Sequence, residues 1–315
     1  MKSRLVYGFI GLFVAVGAVG VRADEEQDQI AVLQSQADAV QKCNACLRLR
    51  VVGTARAVPA LEMLLGDERA SHAARHALEA MPCTEAGQAL RRGLDKTGGL
   101  NKAGIIDSLG RRAEPQAVPL LVPLLSDRDP VIASAAAAAL GRIGGQEAIA
   151  ALRASRDKAP AAVQPAIFEG LLQGAEVLRG SGDNAAAAAV YRDLLNDRSP
   201  ASVRAAAWRG VVLCEPAQRA DLMIEALRGK DRVVQQAGWK LIRELDDAPV
   251  VRACARQWDV LPVQSQLAVL EAHVALGREA TPTIRAAIAS DNETVRIAGL
   301  EAAGCAGGAD LVPML

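Results

Sequence analysis

Ala117-Val118-Pro119-Leu120-Leu121-Val122-Pro123-Leu124-Leu125-Ser126-Asp127-Arg128-Asp129-Pro130-Val131 runs on through an alanine stretch at 135–139 to Leu140, Gly141, Ile143 and Gly144. This stretch reads as two helices joined by a turn. Val118, Leu121, Leu124 and Leu125 recur at the spacing of one helix face. Residues 126–130 hold a serine, two aspartates and a proline, which is turn chemistry. Asp129 suits the cap of the next helix, and Pro130 falls in its first turn, where a missing N–H leaves no bond unmade. In that second helix Ile132, Ala136, Ala139, Leu140 and Ile143 form one stripe, and Gly144-Gly145 ends it.

The same unit recurs along the chain. Ala57-Val58-Pro59-Ala60-Leu61 leads to Leu64-Leu65-Gly66-Asp67, then to a helix over 73–78. Leu194-Leu195-Asn196-Asp197 leads to Val203 and Trp208, and Ala226-Leu227-Arg228-Gly229 to Val234 and Trp239. Ile288-Ala289-Ser290-Asp291 leads to Val295 and Leu300. The period is roughly 30 to 40 residues, which is one pair of helices. Such a pair cannot bury its apolar stripe alone and must stack on its neighbours. Composition agrees: 51% of residues are hydrophobic but only 3% aromatic. Alanine, leucine and valine suit thin layers of closely packed helices. The expected fold class is all-α, an α-solenoid of about eight hairpins.

The pattern V-P-x-L…L-L-x-D…V…A-x-A-L-G resembles the HEAT-repeat family, specifically its short bacterial, phycobilisome-lyase-like form. The resemblance implies a superhelix that binds a protein partner along its concave face. It extends over roughly residues 30–315, with the array proper at 37–315. Residues 158–197 depart from it: a longer helix is expected over 159–178, a loose break at 180–183, then a TPR-like helix over 184–195. Residues 310–315, Asp-Leu-Val-Pro-Met-Leu, match the opening of a further unit, so the array reads as truncated at its C-terminus.

The N-terminus reads as an export signal. Lys2 and Arg4 precede an uncharged apolar run over 5–21, and Val21-Arg22-Ala23 fits a small-residue cleavage site before Asp24-Glu25-Glu26. Residues 1–23 are therefore expected to be a signal peptide and 24–36 a short polar linker. The expected location is periplasmic or secreted, with an N-terminal membrane anchor as the alternative and no membrane span after cleavage. Removing Lys2, Arg4 and Arg22 from 36 basic residues leaves 33 against 36 acidic ones. With no basic stripe to neutralise phosphates, nucleic-acid binding is not expected.

Chemistry-bearing residues are few. Cys43-Asn44-Ala45-Cys46 is a C-x-x-C, but Leu47 stands where haem attachment needs histidine. The pair falls inside a helix expected over 39–52, where two small core residues compete with a redox pair or disulfide. Cys83, Cys214, Cys254 and Cys305 read as small buried helix residues. His72 and His76 lie four apart on one helix face with Glu79, without the H-E-x-x-H of a metal site, and His273 is isolated. Trp208 and Trp239 hold matching places after Val203 and Val234, as Leu300 does after Val295, and read as stacked core anchors. Tyr191 and Trp258 fall on the first-helix type, which lines the concave face in such arrays, and are the candidate partner contacts, with a place in the core as the competing reading. The iron-binding His-Glu pairs of the deoxyhypusine hydroxylases, which the HEAT resemblance brings into view, do not occur. The phycobilin lyase relatives act on cytoplasmic pigment proteins, which does not suit an exported chain. No phosphate loop or nucleophile elbow is present. The expectation is an exported, non-catalytic scaffold for a protein partner, without cofactor or metal. Two alternatives stand beside it: an accessory module of a larger exported enzyme or cytochrome system, and a small redox or metal-binding protein using the C-x-x-C.

Overall fold

A computed structural model describes residues 23–306. The signal peptide expected over residues 1–23, apart from its last residue, and the repeat opening at 310–315 lie outside the described residues. Every regular element among the described residues is helical, and none is long and apolar enough to cross a membrane. The chain divides into two compact units, one up to Val177 and one from Leu178.

The first unit begins with α1 (23–34), α2 (Ala39–Val52), α3 (Val58–Glu62) and α4 (Ser71–Ala80). It continues with α5 (Thr84–Lys96), α6 (Gly99–Arg111), α7 (Val118–Leu121), α8 (Pro130–Ile143), α9 (Gly145–Arg156) and most of α10 (Gln164–Gly180). First and second helices alternate, and second helices pack on second helices: α2 on α4, α4 on α6, α6 on α8. The second unit follows the same rule with α11 (Asn184–Asp193), α12 (Ala201–Cys214), α13 (Arg219–Arg228) and α14 (Arg232–Glu244), then α15 (Ala248–Ala255), α16 (Val263–Val274), α17 (Thr281–Ile288) and α18 (Glu293–Ala306).

The turn residues of the repeat explain themselves locally. Asp67 Oδ1 accepts from the amides of Arg69 and Ala70 at 2.8 and 2.7 Å. These two bonds hold its carboxyl below the usual carboxylate range. Asp129 Oδ1 accepts from Val131 N at 2.9 Å, and Asp231 Oδ1 from Val233 N at 2.9 Å. Asn196 and Asn292 do the same for Arg198 and Val295. Asp129, Asp231 and Asn292 thus satisfy amides that the starts of α8, α14 and α18 leave free, while Asp67 and Asn196 bind amides of the turn before a helix.

Successive hairpins are fastened by arginines reaching about one repeat along the chain. Arg75 Nη1 donates to Gly104 O at 2.8 Å, Arg219 Nη1 to Asp247 at 2.7 Å and Arg252 Nη1 to Glu279 at 2.7 Å. Arg243 pairs with Glu271 at 2.7 Å. The exposed pairs are each worth about 0–1 kcal/mol, so they mark the register of stacking more than they drive it.

Four expectations are corrected. Residues 24–36 are not a linker: 23–34 form α1, which buries Ile30 and Leu33. Its Glu26 is 2% exposed, and Oε1 accepts from both Thr54 N and Thr54 Oγ1. The polar spelling of 24–36 hid a one-sided apolar stripe. Residues 118–126 are not one helix, because after α7 the chain tightens to a 3₁₀ turn, Val122–Ser126. Pro123 lacks the N–H that would bond the carbonyl of Pro119. The long helix starts at Gln164 rather than near 159, since Pro165 is tolerated only in a first turn. Leu300 is 40% exposed rather than a buried anchor. Its supposed equivalents differ from each other too. Trp208 is buried, whereas Trp239 is half-buried and its Nε1 donates to Ser265 Oγ at 2.7 Å.

Candidate functional site

One open feature of the second unit is a groove of ≈ 580 Å³ between α12 and α14. Its floor is alanine: Ala201, Ala205 and Ala206 from α12 and Ala237 from α14, with Val233. Its rim is polar: Ser202, Arg209, Gln236, Lys240 and Glu244. The groove exists because the two helices spend their large side chains elsewhere. Val203, Trp208, Val211, Leu241 and Ile242 point into the core, leaving side chains of one carbon on the facing surface. Glu244 takes both cations of the rim, bonding Arg209 and lying 3.9 Å from Lys240 Nζ. The Arg209 hydrogen bond holds the Glu244 carboxyl below its ordinary range. Two cations against one carboxylate leave the rim net positive. A smaller cleft of ≈ 390 Å³ opens at the turn end of the same hairpins, over Leu195, Trp208, Leu222 and Val234, with Asp197, Arg204 and Asp231 at its edge.

The sequence missed this groove because alanines read as helix formers and core. The available signal was phase: Ala205 and Ala206 each lie three or four residues from both Ser202 and Arg209, on one face with them.

The residues singled out from the sequence lie elsewhere and are not brought together. Tyr191 is 1% exposed, and its ring lies on Gly210 of α12. A Cβ there would stand 2.5 Å from Cε2 and Cζ. Trp258 is 7% exposed and sits in a 3₁₀ turn, Trp258–Val260, not on a helix. Both rings are core, so the expectation of partner contact is corrected. A large ring beside a glycine or a tight turn fills the gap left by the small residue, and it leaves too little surface to meet a partner.

No disulfide joins any of the six cysteines among the described residues. Cys43 and Cys46 lie on α2, as expected. Cys46 is fully buried, and burial, with Cys43 adding, pushes its thiol up to about 12. Burial pushes Cys254 up to about 12 as well. A thiol held protonated is a poor nucleophile. Cys83 and Cys305 depart from the buried-helix expectation: Cys83 precedes α5 and is half-buried, and Cys305 is exposed. Iodoacetamide at about pH 8 is expected to alkylate Cys305 and Cys43 well before Cys46 and Cys254, read by peptide mass spectrometry. Equal rates would contradict the burial.

The His72 and His76 rings stand 4.4 Å apart. Arg75 Nη2 lies 3.2 Å from His72 Nδ1. A guanidinium only donates, so Nδ1 is the acceptor and the neutral ring carries its proton on Nε2. That leaves no free lone pair for a metal. Among the described residues no three His, Cys, Asp or Glu side chains come together as ligands.

His273 on α16 is buried, with Nδ1 2.9 Å from Thr283 Oγ1, while Nε2 finds no partner among the described residues. Burial is the main cause that lowers its pKa below the ordinary 6.5; Arg252 adds to this and Glu279 opposes it. The unfolded chain therefore protonates this ring first as pH falls. Stability from His273 is complete above the ordinary histidine value and is lost as pH drops through the lowered one. The urea midpoint is expected to fall between about pH 7 and about pH 5 more steeply in the native protein than in His273→Gln. Identical slopes would remove His273 as the cause.

No curated protein matches this chain. Among solved structures, human deoxyhypusine hydroxylase in complex with glycerol is similar at 18% identity, over 80% of this chain and 96% of that one, with a TM-score of 0.38. An engineered protein is similar at 17% identity, over 93% and 91%, with a TM-score of 0.38. The complex of CpcE and CpcF of phycocyanin lyase from Nostoc sp. is similar at 20% identity, over 82% and 92%, with a TM-score of 0.34. These likenesses are too distant to carry an activity across. They do correct one expectation. Two of these structures are titled as enzymes, so arrays of helical hairpins include catalysts, and the expectation that this chain is not an enzyme is withdrawn. Residues 88–171 match the family described as HEAT repeats, and since helical hairpins alternate on both sides of that stretch, the fold is an α-solenoid with HEAT repeats matched over 88–171.

Proposed function

We propose that this protein is exported and works as a scaffold, holding a segment of a protein partner in the groove between α12 and α14. The observation that carries the reading is the groove itself. It is an alanine floor that no large side chain among the described residues fills, bordered by Arg209, Lys240 and Glu244. A floor of small residues accepts the apolar side of an inserted helix or strand, and a charged rim fixes its register. The net positive rim favours a segment carrying carboxylates. Export rests on the 1–23 pattern. Cleavage after Ala23 removes only the first residue of α1 and leaves Glu26, Ile30 and Leu33 in place.

A photo-crosslinking residue at position 206 in the producing cells tests the site. The expected result is one discrete adduct that disappears when Ala237→Trp fills the groove and weakens with Lys240→Glu. No adduct, or one indifferent to both substitutions, defeats the reading. Export is read separately, from the mass of the mature N-terminus, which is expected at Asp24.

A further inference from the structure

Large apolar side chains exposed to solvent are not spread evenly over this molecule. Of ten such residues among those described, five sit on two helices, α2 and α18. Val40, Leu47 and Val51 on α2 are 68%, 52% and 74% exposed, and their spacing of seven and four puts them on one face. Ile297 and Leu300 on α18 are 49% and 40% exposed, with the bare surface of Gly304 in line with them. Second helices inside each array show at most one such residue, Leu100 on α6 and Val131 on α8. The reason is positional. α4 lies between α2 and α6, and α16 between α14 and α18. Among the described residues, α2 and α18 have one such neighbour each.

The two bare faces are opposite in charge. α2 carries Lys42, Arg48 and Arg50 and no acid. Arg48 is engaged by Glu25, while Arg50 is exposed at the edge of the stripe. α18 carries Glu293 and Glu301, both exposed, beside Ile297 and Leu300. Its Arg296 is turned back onto the carbonyls of Ser290 and Asp291.

We propose that these faces are the two halves of one interface: α2 of one copy of this chain stacks on α18 of a second copy, head to tail. The contact repeats between molecules the second-helix stacking that builds each array. It buries the Val40–Leu47–Val51 stripe against Ile297 and Leu300, and it sets Arg50 near Glu301. A head-to-tail contact is heterologous, so it grows into chains or closes into rings rather than stopping at a symmetric dimer. The area offered by one helix face belongs to the small, weak class of interface, populated at micromolar concentration.

Sedimentation equilibrium of the purified protein from about 1 to about 200 μM tests this, since a weak interface fills across that range. The weight-average mass is expected to climb past that of a dimer with concentration and to fall with added salt. Arg50→Glu alone and Glu301→Lys alone are each expected to weaken association about tenfold, and a chain carrying both to recover to within about threefold. Leu47→Asp is expected to abolish association at every salt concentration, with helix content unchanged by circular dichroism. A mass fixed at one chain would overturn the proposal; it is the result that coverage of these faces by residues 1–22 or 307–315 would give. Association indifferent to the charge reversals, or not rescued by the double reversal, would overturn it equally. The groove-filling variant Ala237→Trp is expected to leave self-association intact, which separates this interface from the partner groove.

Discussion

Gly141→Val is expected to destabilise the first unit by about 3 kcal/mol, the upper end of what overpacking costs. A Cβ at Gly141 would stand 2.5 Å from both Cα and O of Gly170, which are backbone atoms of the next second helix. In return, a Cβ at Gly170 would stand 2.6 Å from Ala137 O. Backbone cannot rotate aside as a side chain does, so α8 and α10 would have to separate. The local effect runs the other way. Valine is a better helix former than glycine, but by less than ~1 kcal/mol, so the tertiary clash decides the sign. Hydrogen exchange is the suitable measurement, because repeat arrays need not unfold in one step. Protection should fall in α8 and α10 and stay unchanged in α14 and α16. Gly180→Ala is the control: nothing lies within 4 Å of a Cβ there, and stability should hold or rise by under ~1 kcal/mol. Full protection of α8 in Gly141→Val would mean that the helices do not approach as described.

Arg112→Ala is expected to cost about 3 kcal/mol, most of it at the end of α4. Arg112 Nη1 donates to Leu78 O at 2.9 Å, to Glu79 O at 3.3 Å and to Met81 O, while Nη2 donates to Cys83 O at 3.0 Å. These carbonyls belong to the last turn of a helix and the bend after it, where no backbone amide is left to satisfy them. Removing the guanidinium strands them away from water. Arg112→Lys should recover less than half of the loss, since one ammonium cannot span four acceptors as a planar fork does. The urea midpoint and exchange across residues 78–85 would measure both variants. Equal stability of the lysine variant would show that charge alone, and not the fork, holds this turn.

Much of the architecture was legible because it is local. The turn aspartates, the prolines that open helices and the alanine and leucine stripes act within a few residues of themselves, so Asp129 caps α8 in the structure as the spelling of the repeat implies. The C-x-x-C fell inside α2 with the boundaries expected. Misreadings arose where the outcome depends on what lies one repeat away. Residues 24–36 look polar, but the side of α1 that meets Thr54 and its surroundings is buried. Tyr191 and Trp258 fall where first helices are expected, yet Gly210 opens a space that the Tyr191 ring fills.

The candidate site was the least legible part, for the same reason. An alanine in α12 reads alike whether it packs under Trp208 or floors an open groove, because its own sequence neighbours do not tell it which helix lies opposite. The sequence by itself determined that this chain is helical, repeated and stacked, since a hairpin with a one-sided apolar stripe has nowhere else to hide it. Tertiary structure alone decided which faces remain bare among the described residues: the groove between α12 and α14 and the stripes of α2 and α18. A face is bare only by the absence of a neighbour, and neighbours here are set by helix-to-helix stacking about thirty residues apart, beyond the reach of any local pattern.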